Sequence, residues 1–299
     1  MEVTRSGTAM RYGRDVSRLV ELPDKGRLIV ATDLQGNLTD FERVVQVFEA
    51  AAQAEDGAVL VVTGDLVHGP EIPERHWPDY LGSYYHADSV GVLTCAEDLV
   101  RRYPGQVHYL LGNHEHAHVG GPVVSKFFAN EALRLEQLLG AERTALTRSW
   151  IQGWPLVAVA RRAGLLMLHG APNALIHSIA DLEAVELSPE GGPEGVVDDL
   201  LAELLWARTA STVRARAFMN VIDARLRAAV FGHDVVRGGF AIDREPLLCI
   251  STSFGCHDGD KLYLDWDLAR PATSAAEAAR DGLCPLYPNS SPVYRRAAF

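Results

Sequence analysis

The chain is short of several things, and each shortage excludes a class of protein. Four cysteines occur in 299 residues (Cys95, Cys249, Cys256 and Cys284), with no Cys-x-x-Cys pair. That pattern argues against a disulfide-stapled secreted scaffold and a thiolate zinc ribbon, and it predicts a reducing, cytoplasmic setting. Lysine is rarer still, at Lys25, Lys126 and Lys261 only. With 28 basic against 39 acidic side chains the net charge is −11, which argues against a broad basic face for nucleic acid or anionic lipid. No apolar run approaches the roughly 20 residues that span a bilayer. Residues 1–18 are polar and carry Arg5, Arg11, Arg14 and Arg18, unlike a secretory signal. No internal repeat is visible. These absences predict a soluble protein with no nucleic-acid or membrane partner, and they leave its oligomeric state open.

What is present is globular: 47% hydrophobic and 22% charged residues. From residue 27 onward, strand and helix patterns alternate. Apolar runs at 28–31, 58–62 and 107–111 read as strands, the second Val-rich as in a strand buried on both faces. Between the first two, Thr39 and Glu42 read as a capping box, followed by apolar residues at helical spacing (Phe41, Val44, Val45, Phe48, Ala52). A helical stretch is predicted over 94–102 and a longer one over 123–139, stopped by Gly140. Residues 157–160 and 165–168 read as an antiparallel hairpin. Helices over 196–206 and 213–226 lead to strands at 228–231, 247–252 and 262–266. The sequence therefore predicts an N-terminal arm (1–26), one α/β domain with mixed sheets (27–268) containing an insertion at about 68–90, and a loosely held Ala-, Pro- and Ser-rich tail (269–299).

The informative residues sit where the strands stop. The segments Asp33-Leu34-Gln35-Gly36-Asn37, Gly64-Asp65-Leu66-Val67-His68-Gly69, Gly112-Asn113-His114-Glu115, His169-Gly170 and Gly232-His233 each follow an apolar run. Ligands of open α/β sheets bind beyond the carboxyl ends of strands, so these side chains can converge. Aspartate, asparagine and histidine together suit divalent ions such as Mn, Fe or Zn. One Gly-Asp turn or one histidine is a weak signal. Five such strand ends in order are a strong one.

In this order the motifs resemble the calcineurin-like metallophosphoesterases, with the nearest likeness in the phosphoprotein phosphatase branch. Tyr103-Pro104 ahead of Gly112-Asn113-His114-Glu115, and the lone His233 followed by Val235-Val236, carry that finer likeness. The resemblance spans about residues 28–266. It implies an αββα sandwich and two divalent metal ions, Mn first among the candidates. It also implies hydrolysis of a phosphate monoester, on phosphoserine or phosphothreonine of a protein or on a small metabolite, by hydroxide held between the metals. By resemblance, Asp33 binds the first metal and Asp65 bridges both. Asn113, His169 and His233 complete the second, and His114 is the catalytic histidine that serves the leaving oxygen.

Three departures qualify that likeness. Gln35 stands where the family has a metal-binding histidine, either as a neutral oxygen ligand or as a loop residue behind the ligands. His68 and Gly69 replace the acid that supports the catalytic histidine and a phosphate-binding arginine. His68 can orient His114, ligate the first metal or face solvent. Arg208 matches a second phosphate-binding arginine, or is an exposed helix-end side chain. Finally, the insertion carries His76, Trp77, Tyr80, Tyr84, Tyr85 and His86, read as a substrate-selecting lid in preference to a satellite core. His116, His118 and His177 read as surface or loop residues, while His257 lies near the site by resemblance. Dinucleoside polyphosphate hydrolysis, or metal and phosphate binding without turnover, are the alternative readings.

Overall fold

Strands that are apolar at every position can be stable only when both faces are covered, and that requirement organises the molecule. The computed structural model describes residues 17–54, 57–188 and 199–293. In chain order its first half contains β1 (Leu19–Glu21), β2 (Arg27–Ala31), α1 (Leu38–Ala52), β3 (Ala58–Val62), α2 (Ser89–Arg102), β4 (Val107–Tyr109), α3 (Asn113–His116) and α4 (Glu131–Gln152). The second half contains β5 (Val157–Ala160), β6 (Leu165–Leu168), α5 (Ile179–Glu183), α6 (Asp199–Leu205), α7 (Thr212–Ile222), β7 (Ala228–Phe231), β8 (Phe240–Ala241), β9 (Leu247–Ile250), β10 (Leu262–Asp267), α8 (Ala275–Gly282) and β11 (Leu283–Pro285).

Two mixed sheets result, ordered β1-β5-β6-β7-β9-β8 and β11-β10-β2-β3-β4. In one, β2, β3 and β4 run parallel. In the other, β6, β7 and β9 do so, beside the antiparallel β5–β6 hairpin. The sheets face each other. Leu28 and Val30 pack into a shared core with Met167, Val230, Leu248 and Trp266. Alternate residues Ile29 and Ala31 point the other way, toward Phe41, Val44, Phe48 and Leu93 of the helical layer. This is the αββα sandwich, with the parallel strand ends of both sheets feeding one rim.

The structure corrects several boundaries. The predicted arm is part of the sheet: Leu19–Glu21 pairs in parallel with β5, while residues 1–16 lie outside the described residues. The predicted tail is likewise held. Ser274 caps α8 by accepting from Glu277 N, and β11 pairs antiparallel with β10. Small residues on one face of α8 allow this, since a Cβ on Gly282 would meet Leu264 at 2.7 Å and Trp266 at 2.8 Å. An Ala-rich stretch that looks featureless in sequence is a close-packing surface here. Asn37, not Thr39, caps α1 by accepting from Asp40 N. The helix expected from residue 123 starts at Glu131 behind the Asn130 cap, and non-helical Gly140 divides it. Pro122 and the two valines after it favour extended backbone, so 122–130 is a loop. The start of the helix predicted over 196–206 falls partly outside the described residues.

Part of the insertion packs into a small core, while Tyr80 and Tyr84 stay exposed. Leu81 and Tyr85 form a small core with Phe254, and Trp77 meets Tyr84 and Tyr85 edge-on at 5.2 and 5.3 Å. Tyr85 donates its hydroxyl proton to the Gln35 carbonyl at 2.9 Å, so the insertion buttresses the loop after β2. No disulfide joins the four cysteines. Among the described residues no helix is long and apolar enough to cross a membrane.

A buried ion pair fastens the C-terminal segment to α1. Lys261 Nζ lies 2.8 Å from Asp40 Oδ2, with both side chains almost fully buried. Asp40 also accepts from Asn37 Nδ2 at 2.8 Å, Ser253 Oγ at 2.5 Å and Tyr287 OH at 2.7 Å. Burial alone would lower the lysine pKa, but the Asp40 charge outweighs it and the net shift is upward. The pair therefore stabilises fully below the ordinary lysine pKa and is lost as pH rises through the raised one. Removing one partner of a buried pair strands the other charge, so Lys261→Met is expected to cost about 3–5 kcal/mol in urea unfolding. A cost under about 1 kcal/mol would show the pair to be dispensable.

Candidate metal centre and active site

Among the described residues, five non-glycine residues adopt positive φ: Asp33 (49°), Gln35 (47°), Asp65 (54°), His68 (65°) and His233 (63°). Each is a site residue predicted from the strand ends. Left-handed backbone is uncommon outside glycine, though Asp and His tolerate it better than most, and it concentrates where side chains must be aimed rather than packed. Glycines make the crowding possible. A Cβ on Gly112 would lie 2.4 Å from Asp65 Oδ1, and one on Gly232 would lie 2.1 Å from Asp33 Oδ2. Glu115, fully buried, accepts from the backbone N–H groups of Asp65, Leu66 and Val67 at 2.8, 2.8 and 3.2 Å. That carboxylate shapes the loop carrying Asp65, a role the sequence motif alone did not reveal. Burial, with the nearby Asp65 charge, pushes Glu115 up to about 7.

Asp65, Asn113, His169 and His233 converge. Asn113 Oδ1 is 2.9 Å from both His169 Nε2 and His233 Nδ1. The two rings approach to 3.1 Å, and His169 Nε2 is 3.4 Å from Asp65 Oδ1. His169 Nδ1 faces the Thr63 carbonyl at 2.9 Å, to which it must donate, so its Nε2 carries a lone pair. A lone pair aimed at an amide oxygen at this distance is repulsive unless a cation lies between them. Burial and the neighbouring His169 hold His233 down at about 3, and burial lowers His169 too, so both rings are neutral, the ligating form. The chemistry of this donor set fits a divalent metal ion.

Asp33 and Gln35 flank Asp65 on the other side. The carboxylate of Asp33 accepts from His233 N at 3.1 Å. Burial, then repulsion from Asp65, raises Asp33 to about 8. Burial also works to raise Asp65, but His169, His114 and His233 outweigh it and hold Asp65 at about 2. Gln35 donates from Nε2 to Asp65 Oδ2 at 2.9 Å, while its buried Oε1 has no partner. Uncompensated negative charge beside an orphaned neutral oxygen is what a second cation would satisfy.

His114 lies next to this centre, with Nε2 3.8 Å from Asp65 Oδ2. On the far side of its ring, Nδ1 meets Glu131 Oε2 at 3.1 Å and His68 Nδ1 at 3.1 Å. Burial alone would lower the His114 pKa, but the charges of Asp65 and Glu131 reverse the shift and raise it. His68 does not face solvent, and His116 and His118 are buried rather than on the surface. His177 is exposed as expected. His257 lies against the insertion, 3.4 Å from Asp79 Oδ1. Arg208 sits at the rim, largely exposed, with Nη1 2.6 Å from Asp234 Oδ1.

Lys126 and Glu131 escaped the sequence reading because the loop before α4 looked helical. The ammonium of Lys126 stands 4.0 Å over the Phe254 ring, and Phe254 N donates to the Asp33 carbonyl at 3.0 Å. Burial lowers the Lys126 pKa against the pull of Asp65 and Asp33, which places this cation within electrostatic reach of both carboxylates.

Fold and donors together define a metal-binding hydrolase of phosphoesters. A family model described as calcineurin-like phosphoesterase matches residues 26–249, and the chain belongs to that family. Among solved structures it is similar to a protein serine/threonine phosphatase from Saccharomyces cerevisiae with similarity to human phosphatase PP5. Identity there is 16% and the TM-score 0.59, covering 83% of this chain and 76% of that one. It is also similar to a cold-active protein-tyrosine phosphatase of a psychrophilic Shewanella, at 15% identity and TM-score 0.54, with 83% and 76% covered. At these identities the likeness is one of fold. No curated protein matches the chain.

Asp65 lies between the two groups of donors, 2.9 Å from Gln35 Nε2 and 3.4 Å from His169 Nε2. Asp65→Asn is expected to lower the divalent metal retained after purification, measured by elemental analysis, while the far-ultraviolet circular dichroism stays that of wild type. Undiminished metal content would remove Asp65 from the ligand set.

Proposed function

We propose that this chain hydrolyses phosphate monoesters with two divalent ions, Mn by preference. The observation that carries the reading is the convergence of the Asp65 carboxylate with Asn113 and the neutral rings of His169 and His233, with the ring of His114 beside them. Asp33, Asp65 and Gln35 Oε1 would hold one ion, and Asp65, Asn113, His169 and His233 the other. When bound, the ions neutralise phosphoryl charge and acidify water. Gln35 in place of imidazole makes the first ion the weaker one, since a neutral amide oxygen is the poorer donor to Mn.

The remaining steps belong to side chains. His114, protonated in its raised range, gives the Nε2 proton to the leaving oxygen as the phosphorus–oxygen bond breaks. Glu131 and Asp65 favour that charged form. Lys126 and Arg208 bring positive charge to the rim, and Lys126 makes up for the absence of an arginine at Gly69. His68 holds His114 in place of a carboxylate. The phosphorylated substrate remains open between a phosphoprotein and a small metabolite.

His114→Ala is expected to reduce turnover of an alkyl phosphate by about 10²–10⁴-fold. The loss should be smaller with p-nitrophenyl phosphate, whose leaving group needs little protonation, and metal content should stay near wild type. Equal losses on both substrates would refute the acid role. Wild-type protein that retains metal yet turns over neither substrate would favour the binding-only reading. Separately, Gln35→His should move the Mn activation curve to lower concentration. An unmoved curve would mean that position 35 does not reach the ion.

A further inference from the structure

Behind His114 runs a line of side chains that the reaction by itself does not require. His114 Nδ1 lies 3.1 Å from His68 Nδ1, and His68 Nε2 lies 3.0 Å from His118 Nε2. His118 Nδ1 meets Glu136 Oε1 at 2.8 Å. Arg148 clamps Glu136 through Nε at 2.8 Å and Nη2 at 2.6 Å. His68, His114 and His118 are all buried, and His68 takes its place with left-handed backbone.

With His118 in its neutral form, the end of the line sets its direction. Although burial works to raise Glu136, the His118 hydrogen bond and Arg148 hold it at about 2, so it is an ionised, acceptor-only group. His118 must therefore donate from Nδ1, which in the neutral ring leaves a lone pair on Nε2. His68 donates to that lone pair from Nε2 and accepts at Nδ1. By the same step His114 donates from Nδ1. The opposite tautomer of His114 would set its lone pair against the lone pair of His68 and the Glu131 carboxylate. Glu131 Oε2, 3.1 Å from His114 Nδ1, is a second acceptor at this point and favours the same tautomer.

We propose that His118 and Glu136 are positioning residues that act through His68 to hold His114 in the single tautomer carrying its ring proton on Nδ1, with Nε2 turned to the metal side. The proposal rests on the reading of His114 as the leaving-group acid. The proton balance is then simple. The His114 imidazolium releases its Nε2 proton to the leaving oxygen, which takes the electron pair of the broken phosphorus–oxygen bond. The ring left behind is the neutral Nδ1–H form that the line already accepts, so no proton has to move between ring nitrogens. Two imidazoles and a distant glutamate thus reinforce, from a second direction, what the Glu131 carboxylate does at the same nitrogen.

The test is ring-nitrogen NMR of the full chain with 15N-labelled histidine, loaded with Mg or Zn as a diamagnetic ion. Wild type should show His114 protonated at Nδ1. Glu136→Gln, whose amide can donate as well as accept, should release the direction and give His114 a mixture of tautomers. Turnover of an alkyl phosphate should fall by about 10–100-fold in kcat with KM little changed, and p-nitrophenyl phosphate should be affected less. Glu136→Asp should restore the wild-type tautomer in part. His118→Gln makes the same measurement if Glu136→Gln does not fold. The spectra need no turnover, so they report on the line even in a chain without phosphoesterase activity. A bare or metal-bound Nδ1 on His114 in wild type, or ring nitrogens unchanged in both glutamine variants, would overturn the proposal.

Discussion

Everything at the rim of this sandwich depends on the electrostatics of one crowded carboxylate. Asp65 faces a second aspartate and lies within reach of the rings of His114 and His169 and the amide of Gln35. Left to themselves such groups repel, because lone pairs and negative charge converge with too few protons between them. The chain holds them together by means unrelated to their mutual attraction. Strand ends of two sheets meet, Glu115 ties down three backbone N–H groups, and glycines at 112 and 232 let the loops close to contact. A divalent cation bound among them would turn this costly arrangement into a favourable one.

The same logic separates two kinds of histidine. His169 and His233 are pushed toward neutrality by burial, which suits ligands. His114, a few ångströms away and as buried as His169, is pulled the other way by Asp65 and Glu131, which suits a proton donor. Opposite shifts within one small volume come from the placement of carboxylates, not from depth. Environments that drive like groups apart are how a single site assigns different roles.

Much of this was legible in sequence because chemistry and chain geometry coincide at strand ends. Asp33, Asp65, Asn113, His169 and His233 each follow an apolar run and have glycine close by, so spacing alone marked them. Glu131, Glu136, His118 and Lys126 have no such mark. They lie on a helix, a short turn and a loop whose faces are set by tertiary packing, and the start of α4 was misread by eight residues (123 against 131). The only trace of the line in the sequence is that His118 follows His114 by four residues. The C-terminal segment failed for a different reason. Alanine and glycine look featureless as composition, yet in α8 they are what lets the helix sit against Trp266. The role of the insertion is not legible in sequence, because aromatic content reads alike whether it faces a ligand or a satellite core.

The most direct test of the central claim is an anomalous-scattering map of crystals grown with Mn. The account predicts two peaks that share Asp65, one against Asp33 and Gln35 and the other among Asn113, His169 and His233. A single peak between His68, His114 and Glu131, or no peak within reach of Asp65, would contradict it.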